Sequence, residues 1–288
     1  MLDYEKLRAW SSPEIRQTLD ARDAMLYALG IGIAQDPLDM RQLRFATERD
    51  QQVVPTMAAV LSYPGFWVRD EAHLGIDFTK VVHGEQCIEQ HQPIPIGVPL
   101  VGVTRVTRVV DKGPGKGALV YVEKNIREEA SDAPIATCQQ VLFCRNDGGF
   151  SAHGGGDAPT APLEATPQRA PDIVVPLQSR PESALIYRLS GDMNPLHSDP
   201  EVAVKAGFAR PILQGLATYG MACHGILGTF CDYDAARLRS IAARFSAPVF
   251  PGDAIELHCW REGAEIRFSA QVPERNSVVL SHGRALCN

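Results

Sequence analysis

The sequence predicts an α+β chain in which one unit, a helix cradled by a curved antiparallel sheet, is made twice. Three observations carry this. Residues 216–230 bear no charge and are rich in Gly and Ala, which suits a helix buried on all sides. Runs of alternating apolar and polar residues mark half-buried strands. Four landmarks recur in the same order in both halves of a chain of 288 residues, about twice the usual single-domain length.

The landmarks begin with Tyr27-Ala-Leu-Gly, which parallels Tyr187-Arg-Leu-Ser, and Asp36-Pro-Leu-Asp39, which parallels Asn194-Pro-Leu-His197. Each pair leads to a Pro opening an apolar segment, at Pro55 and Pro211, and then to strand-like sequence ending at Gly97 and Gly252. Within each half the order is one helix, then strands. In the first half, β-branched runs at 101–110 and 119–126 flank Lys112-Gly-Pro-Gly-Lys-Gly, a hairpin loop. Gly148, Gly149, Gly154 to Gly156 and six prolines from Pro159 to Pro181 then form a linker signature. The expected division is therefore a first unit at 1–145, a linker at 146–182 and a second unit at 183–288. In the second half Asp199 is an N-cap, Pro200 the first helical residue and Gly207 the stop. After the buried helix, Ile255, Leu257 and Cys259, then Ile266, Phe268, Ala270 and Val272, alternate with polar neighbours as strands do.

Composition narrows the function classes. The net charge is −6, without the basic footprint of a nucleic-acid binder, so nucleic acid is not an expected partner. The seven cysteines are odd in number and contain no C-x-x-C pair, which fits free thiols in a reducing compartment. No basic leader opens the chain, no segment approaches the ~18 uncharged residues of a membrane span, and Leu286-Cys287-Asn288 is not a targeting tripeptide. A cytoplasmic protein without a membrane partner is expected.

The densest polar cluster is the stretch from Tyr187 to Pro200, with Asp192, Asn194 and His197. Five residues on a continuous helix would turn Asp192 and His197 about 140° apart. Gly191 and Pro195 argue against such a helix, and a turn can bring the carboxylate and imidazole to one point, with Asn194 orienting either. The first half has Asp39 where His197 stands and no acid at the Asp192 position, so one working site per pair of units is expected, with the first unit free to serve as a substrate platform. Other readings are weaker. The 113–117 loop lacks the Ser or Thr of a phosphate loop and the helix that would follow it. No histidine–cysteine spacing suggests a metal, no Gly-x-Ser-x-Gly elbow offers a serine nucleophile, and His224 reads as a hydrogen-bonded core histidine.

YRLSGDMNPLHSDP followed by AGFARPILQGL resembles the MaoC-like, R-specific enoyl-CoA hydratases, above all the type 2 hydratase part of peroxisomal multifunctional enzymes. The likeness extends through YALGIG, DPLDMRQLRF, VVPTMAAV, HGEQCIE, VVDKGPGKGA, CRNDGGF and ARFSAPVFPGD, from residue 24 onwards. It implies a double hotdog fold and reversible syn hydration of trans-2-enoyl-CoA to (3R)-3-hydroxyacyl-CoA, with acyl-CoA as the ligand and no cofactor or metal. It also implies a catalytic pair Asp192 and His197 supported by Asn194, and the Gly215 N–H as oxyanion donor. Substrate contacts would come from His83, Gly84, Lys112, Met193, Pro195, Leu196 and Phe245. Lys112, helped by Lys116 or Arg244, would meet the CoA phosphates. One departure is Gln214, where the family usually has His. A hotdog thioesterase and a non-catalytic acyl-CoA binding module are the competing readings, and hotdog edges are compatible with a homodimer.

Overall fold

The computed structural model describes residues 2–288. Ten strands form one antiparallel sheet in the order β1-β3-β4-β5-β2-β7-β10-β9-β8-β6. They are β1 (Ile15–Thr18), β2 (Val81–Gln90), β3 (Pro99–Asp111), β4 (Ala118–Glu128), β5 (Pro134–Cys144), β6 (Ile173–Gln178), β7 (Leu238–Phe245), β8 (Ala254–Glu262), β9 (Glu265–Val272) and β10 (Ser277–Cys287). The α-helices are α1 (Tyr4–Ala9), α2 (Ala21–Gly30), α3 (Met40–Leu43), α4 (Trp67–Asp70), α5 (Ser183–Tyr187), α6 (Pro200–Lys205) and α7 (Gly215–Phe230).

Reflected about the β2–β7 seam, the strand order maps onto itself, β1 answering to β6, β3 to β8, β4 to β9, β5 to β10 and β2 to β7. The duplication read from four landmarks thus extends to the whole sheet, as a double hotdog requires. Tyr27 on α2 and Tyr187 on α5, the paired landmark tyrosines, meet with ring centroids 5.6 Å apart. One apolar core runs through both units, from Leu19 and Phe45 to Leu280 and Ala285.

Helix α7 occupies the centre of that core, and its small residues are required there. A Cβ on Gly220 would lie 2.6 Å from Ile31 Cγ2, and one on Gly225 2.8 Å from Leu257 Cδ2. Packing that close leaves no room for a side chain, and the glycines accept the helix-propensity cost for it.

The first unit departs from the expected helix after Pro55. Only a 3₁₀ turn forms, Pro55–Ala59, and the chain then reverses through Ser62 at φ 45° towards Pro64-Gly65. The reason lies on β4, where the buried Lys124 ammonium donates to the carbonyls of Ala58 at 2.9 Å, Ala59 at 2.9 Å and Leu61 at 2.5 Å. Those oxygens would accept from the next helical turn, and the cation satisfies them instead. Burial pushes the Lys124 pKa down to about 8, with the neighbouring Cys138 acting in the opposite direction.

The stretch 146–182 is also more than a tether. Its residues 173–178 are β6, the counterpart of β1, paired with β8. Pro176 is tolerated because β6 is an edge strand with no partner to miss its N–H. Upstream, Asp157 accepts from Val109 N at 2.8 Å, and Arg267 holds the carbonyls of Glu164 and Ala165 at 2.8 and 3.1 Å, so the crossing chain is pinned to the sheet.

Replacing Lys124 by Met keeps the aliphatic stem but leaves three buried carbonyls without their donor. Lys124→Met is expected to lower unfolding stability by ~2–4 kcal/mol in urea denaturation. A midpoint equal to the parent's would remove the capping role.

Candidate active site

Chain direction changes sharply between α5 and α6. After a 3₁₀ turn, Arg188–Ser190, Gly191 takes φ 122°, a conformation that glycine adopts without strain. Two nested side-chain turns follow. Asp192 Oδ1 accepts from Asn194 N at 3.2 Å, and Asn194 Oδ1 accepts from Leu196 N at 3.1 Å, capping the 3₁₀ turn Pro195–His197. The outcome places Asp192 Oδ2 3.7 Å from His197 Nε2. That gap is too long for a direct hydrogen bond and short enough for both atoms to hold one small molecule between them.

His197 is 8% exposed, and its Nδ1 lies 2.8 Å from the Ile212 carbonyl. A carbonyl can only accept, so Nδ1 carries the hydrogen and the neutral ring keeps its lone pair on Nε2, facing Asp192. Ile212 also begins the short strap that ends at Gly215, the first residue of α7. The first N–H groups of a helix lack intrahelical acceptors and carry its positive end, and this end begins three residues after the carbonyl that holds His197.

The seam of the sheet packs against the start of α7. The Phe245 ring comes within 3.2 Å of where a Gly215 Cβ would be, and the His83 ring packs edge-on against Phe245 at 4.8 Å. Gly84 sits in a β2 bulge, and a Cβ there would be 3.1 Å from Val141 O. His83, Gly84, Phe245 and Gly215 are thus brought together across two units. Burial lowers the His83 pKa to about 4, so its ring stays neutral.

The remaining expected residues lie further out. Met193 is 55% exposed and Pro195 is exposed, with Leu196 half-buried, so these three form a rim. Lys112 is exposed on its hairpin with its ammonium 5.1 Å from the Phe143 ring centre, and is not brought against the pair. Arg244 is not available to the CoA phosphates as expected, because Glu85 Oε1 accepts from its Nε at 2.9 Å and from its second terminal nitrogen at 2.7 Å. Asp199 caps α6 through Glu201 N and Val202 N, and His224 Nε2 meets the Tyr233 hydroxyl at 2.9 Å, as a core histidine would.

In the first unit, Asp39 stands at the His197 position. Its carboxylate accepts from Arg41 and Gln42, and the Arg41 guanidinium holds its pKa at about 2. A cavity of about 370 Å³ adjoins Asp39 and His224, away from Asp192 and His197. Among the described residues no group of three or more His, Cys, Asp or Glu is placed to hold a metal ion. Sequence reasoning missed the Ile212 carbonyl, since a backbone acceptor leaves no mark in the residue type.

Two half-buried imidazoles, His83 and His224, carry a pH signature. His83 and His224 each have a folded pKa of about 4 against an ordinary value of 6.5. The unfolded chain therefore binds more protons between these values, and the stability present above pH ~6.5 is lost as pH falls towards 4. Urea midpoints measured from pH 7 to 4.5 should fall, and the double variant His83→Asn/His224→Asn should show a shallower decline. An equal slope in both proteins would contradict this origin.

The family model described as "MaoC like domain" matches residues 162–281, and that described as "MFE-2 hydratase 2 N-terminal domain" matches residues 18–146. The chain is 36% identical to "Enoyl-CoA hydratase 2, peroxisomal" of Arabidopsis thaliana, over 96% of this chain and 92% of that one. It is 40% identical to "3-hydroxyacyl-thioester dehydratase Y" of Mycobacterium tuberculosis, over 90% and 88% of the two chains. The crystal structure of a MaoC-like dehydratase from Phytophthora capsici superposes with a TM-score of 0.86 at 30% identity, covering 100% of this chain and 98% of that one. With matches along both halves and relatives covered almost from end to end, the chain belongs to the MaoC-like hydratase 2 family.

Proposed function

We propose that the protein is a hydro-lyase that adds water reversibly to a trans-2-enoyl-CoA, giving a (3R)-3-hydroxyacyl-CoA in fatty acyl-CoA metabolism. Relatives named as an enoyl-CoA hydratase and a hydroxyacyl-thioester dehydratase support both directions of one reaction. The observation that carries the mechanism is the 3.7 Å pair beside the start of α7, with His197 Nδ1 already committed to Ile212.

In this reading the thioester oxygen rests on the Gly215 N–H, which withdraws electron density from C3. Such a donor contributes ~3–4 kcal/mol in the transition state. A water molecule donates one hydrogen to His197 Nε2 and the other to Asp192 Oδ2, leaving an oxygen lone pair for C3. As the C–O bond forms, the C2–C3 π pair moves towards the thioester and the water proton passes to Nε2. The imidazolium, held by the Asp192 carboxylate, returns that proton to C2. One H and one OH are added from the same side, so addition is syn, and no cofactor or metal takes part. Asn194 keeps the Asp192 carboxylate in place through its backbone N–H.

The rim formed by Met193, Pro195 and Leu196, with His83, Gly84 and Phe245 opposite, flanks the acyl thioester, and Lys112 meets CoA phosphates by its free ammonium. The seven unpaired thiols support a reducing compartment, for which we propose the cytoplasm. No helix among the described residues is long and apolar enough to cross a membrane. Leu185 on α5, Leu189 in the turn after it and Val204 on α6 are exposed apolar side chains that support a homodimer.

Asp192→Asn and His197→Ala should each lower turnover of crotonyl-CoA about 10²–10⁴-fold, followed by loss of the enoyl absorbance, with an unchanged circular dichroism spectrum. Near-parental turnover in either would defeat the mechanism. Release of free thiol without loss of the enoyl conjugation would point to a thioesterase, and binding without turnover to a non-catalytic module. Lys112→Ala should raise KM for the CoA thioester while kcat stays within about twofold, and an unaltered KM would refute the phosphate contact.

A further inference from the structure

Gln214 is fully buried at the N-cap of α7, yet its side chain does not cap the helix. Its amide turns away instead and donates from Nε2 to the Ala184 carbonyl on α5 at 3.1 Å. A carbonyl facing it fixes which end of the amide is nitrogen. That carbonyl is already an acceptor within α5, from the Arg188 N–H, and Gln214 Oε1 is left buried with no donor among the described residues. A buried acceptor without a donor destabilises a fold. Stability therefore does not explain why an amide stands here.

Position does. The strap from Ile212 to Gly215 carries two parts of the proposed site, the carbonyl that orients His197 and the N–H that receives the thioester oxygen. Leu213 N ties the strap to Val249 O at 2.7 Å, in the connection between β7 and β8. On the other side Gln214 ties it to α5, and α5 leads within a few residues to Gly191 and Asp192. Gln214 is thus a second side-chain tie, besides His197 itself, between the strap and the chain that presents the carboxylate, and it acts from the α5 side.

We infer that Gln214 is a positioning residue that sets the separation between the Asp192 turn and the α7 N-terminus through its bond to Ala184. The inference rests on the hydratase reading for its activity readout, but the geometry can be tested without it. Gln214→Met keeps the volume and removes both the donor and the unpartnered oxygen. Its crotonyl-CoA kcat should fall about ten- to a hundredfold while KM stays within about twofold. Its urea midpoint should stay equal or rise, the opposite of what a purely structural amide would give. Gln214→His, which can offer an N–H from the same position, should recover much of the lost kcat.

An unchanged kcat in Gln214→Met, or a loss of kcat matched by a loss of stability, overturns the inference. Should Gln214→Met not fold, Gln214→Asn, an amide one methylene too short, is judged by the same criteria, and failure of both to fold marks the residue as structural and also overturns it. A parent protein inactive on every enoyl-CoA tested would remove the hydratase reading and not this one. In that case the His197 Nδ1 proton, followed by NMR, should exchange with water faster in the variant, and an identical exchange rate overturns the inference.

Discussion

The hydrogen bond from His197 Nδ1 to the Ile212 carbonyl is the contact on which the site depends. It selects the tautomer, since the carbonyl cannot donate, and so leaves the lone pair on the nitrogen that faces Asp192. It also fastens the loop between α5 and α6 to the segment entering α7, so the imidazole and the helix tip move as one body. Without it the ring could rotate, and a 3.7 Å approach to the carboxylate would be one arrangement among several.

The two units show how a duplicated fold is divided between tasks. The second unit retains an uninterrupted central helix, whose tip can polarise an oxygen, and an acid–imidazole pair next to it. In the first unit Lys124 ends the corresponding helix after one turn, and Asp39 is spent on Arg41 and Gln42. These are local electrostatic choices. Neither disturbs the strand order, which stays the same in both units. The first unit still meets the second through β2, where the His83 ring packs against Phe245 across the seam.

Much of this was legible in the sequence. The α7 segment was readable because an uncharged run with Gly at its contact points has few other uses, and its start at Gly215 follows Pro211. The turn at 191–197 was readable from Gly191 and Pro195, whose backbone restrictions exclude a helix. What stayed hidden is what long-range contacts decide. Pro55 opens a turn that apolar sequence would have continued as a helix, and the lysine that stops it lies more than sixty residues away in sequence. Pro176 in a proline-rich stretch read as linker, although an edge strand accepts it. Arg244 looked like a free cation until its strand partner, Glu85, was in place. The Ile212 carbonyl is a backbone acceptor, and so is the Ala184 carbonyl that the Gln214 side chain reaches, and residue types report neither.

The seam has a bearing on how the chain is made. During synthesis β2 leaves the ribosome well before β7 exists to pair with it, so the inner border of the first unit's strands waits uncovered while the crossing segment and the chain up to β7 are still to come. Such a border invites other chains to add to it. Glu85 and Glu89 place negative charge along β2 during that interval, and once β7 arrives Glu85 becomes the counter-ion of Arg244. The same carboxylate guards the nascent border and then clasps the finished joint.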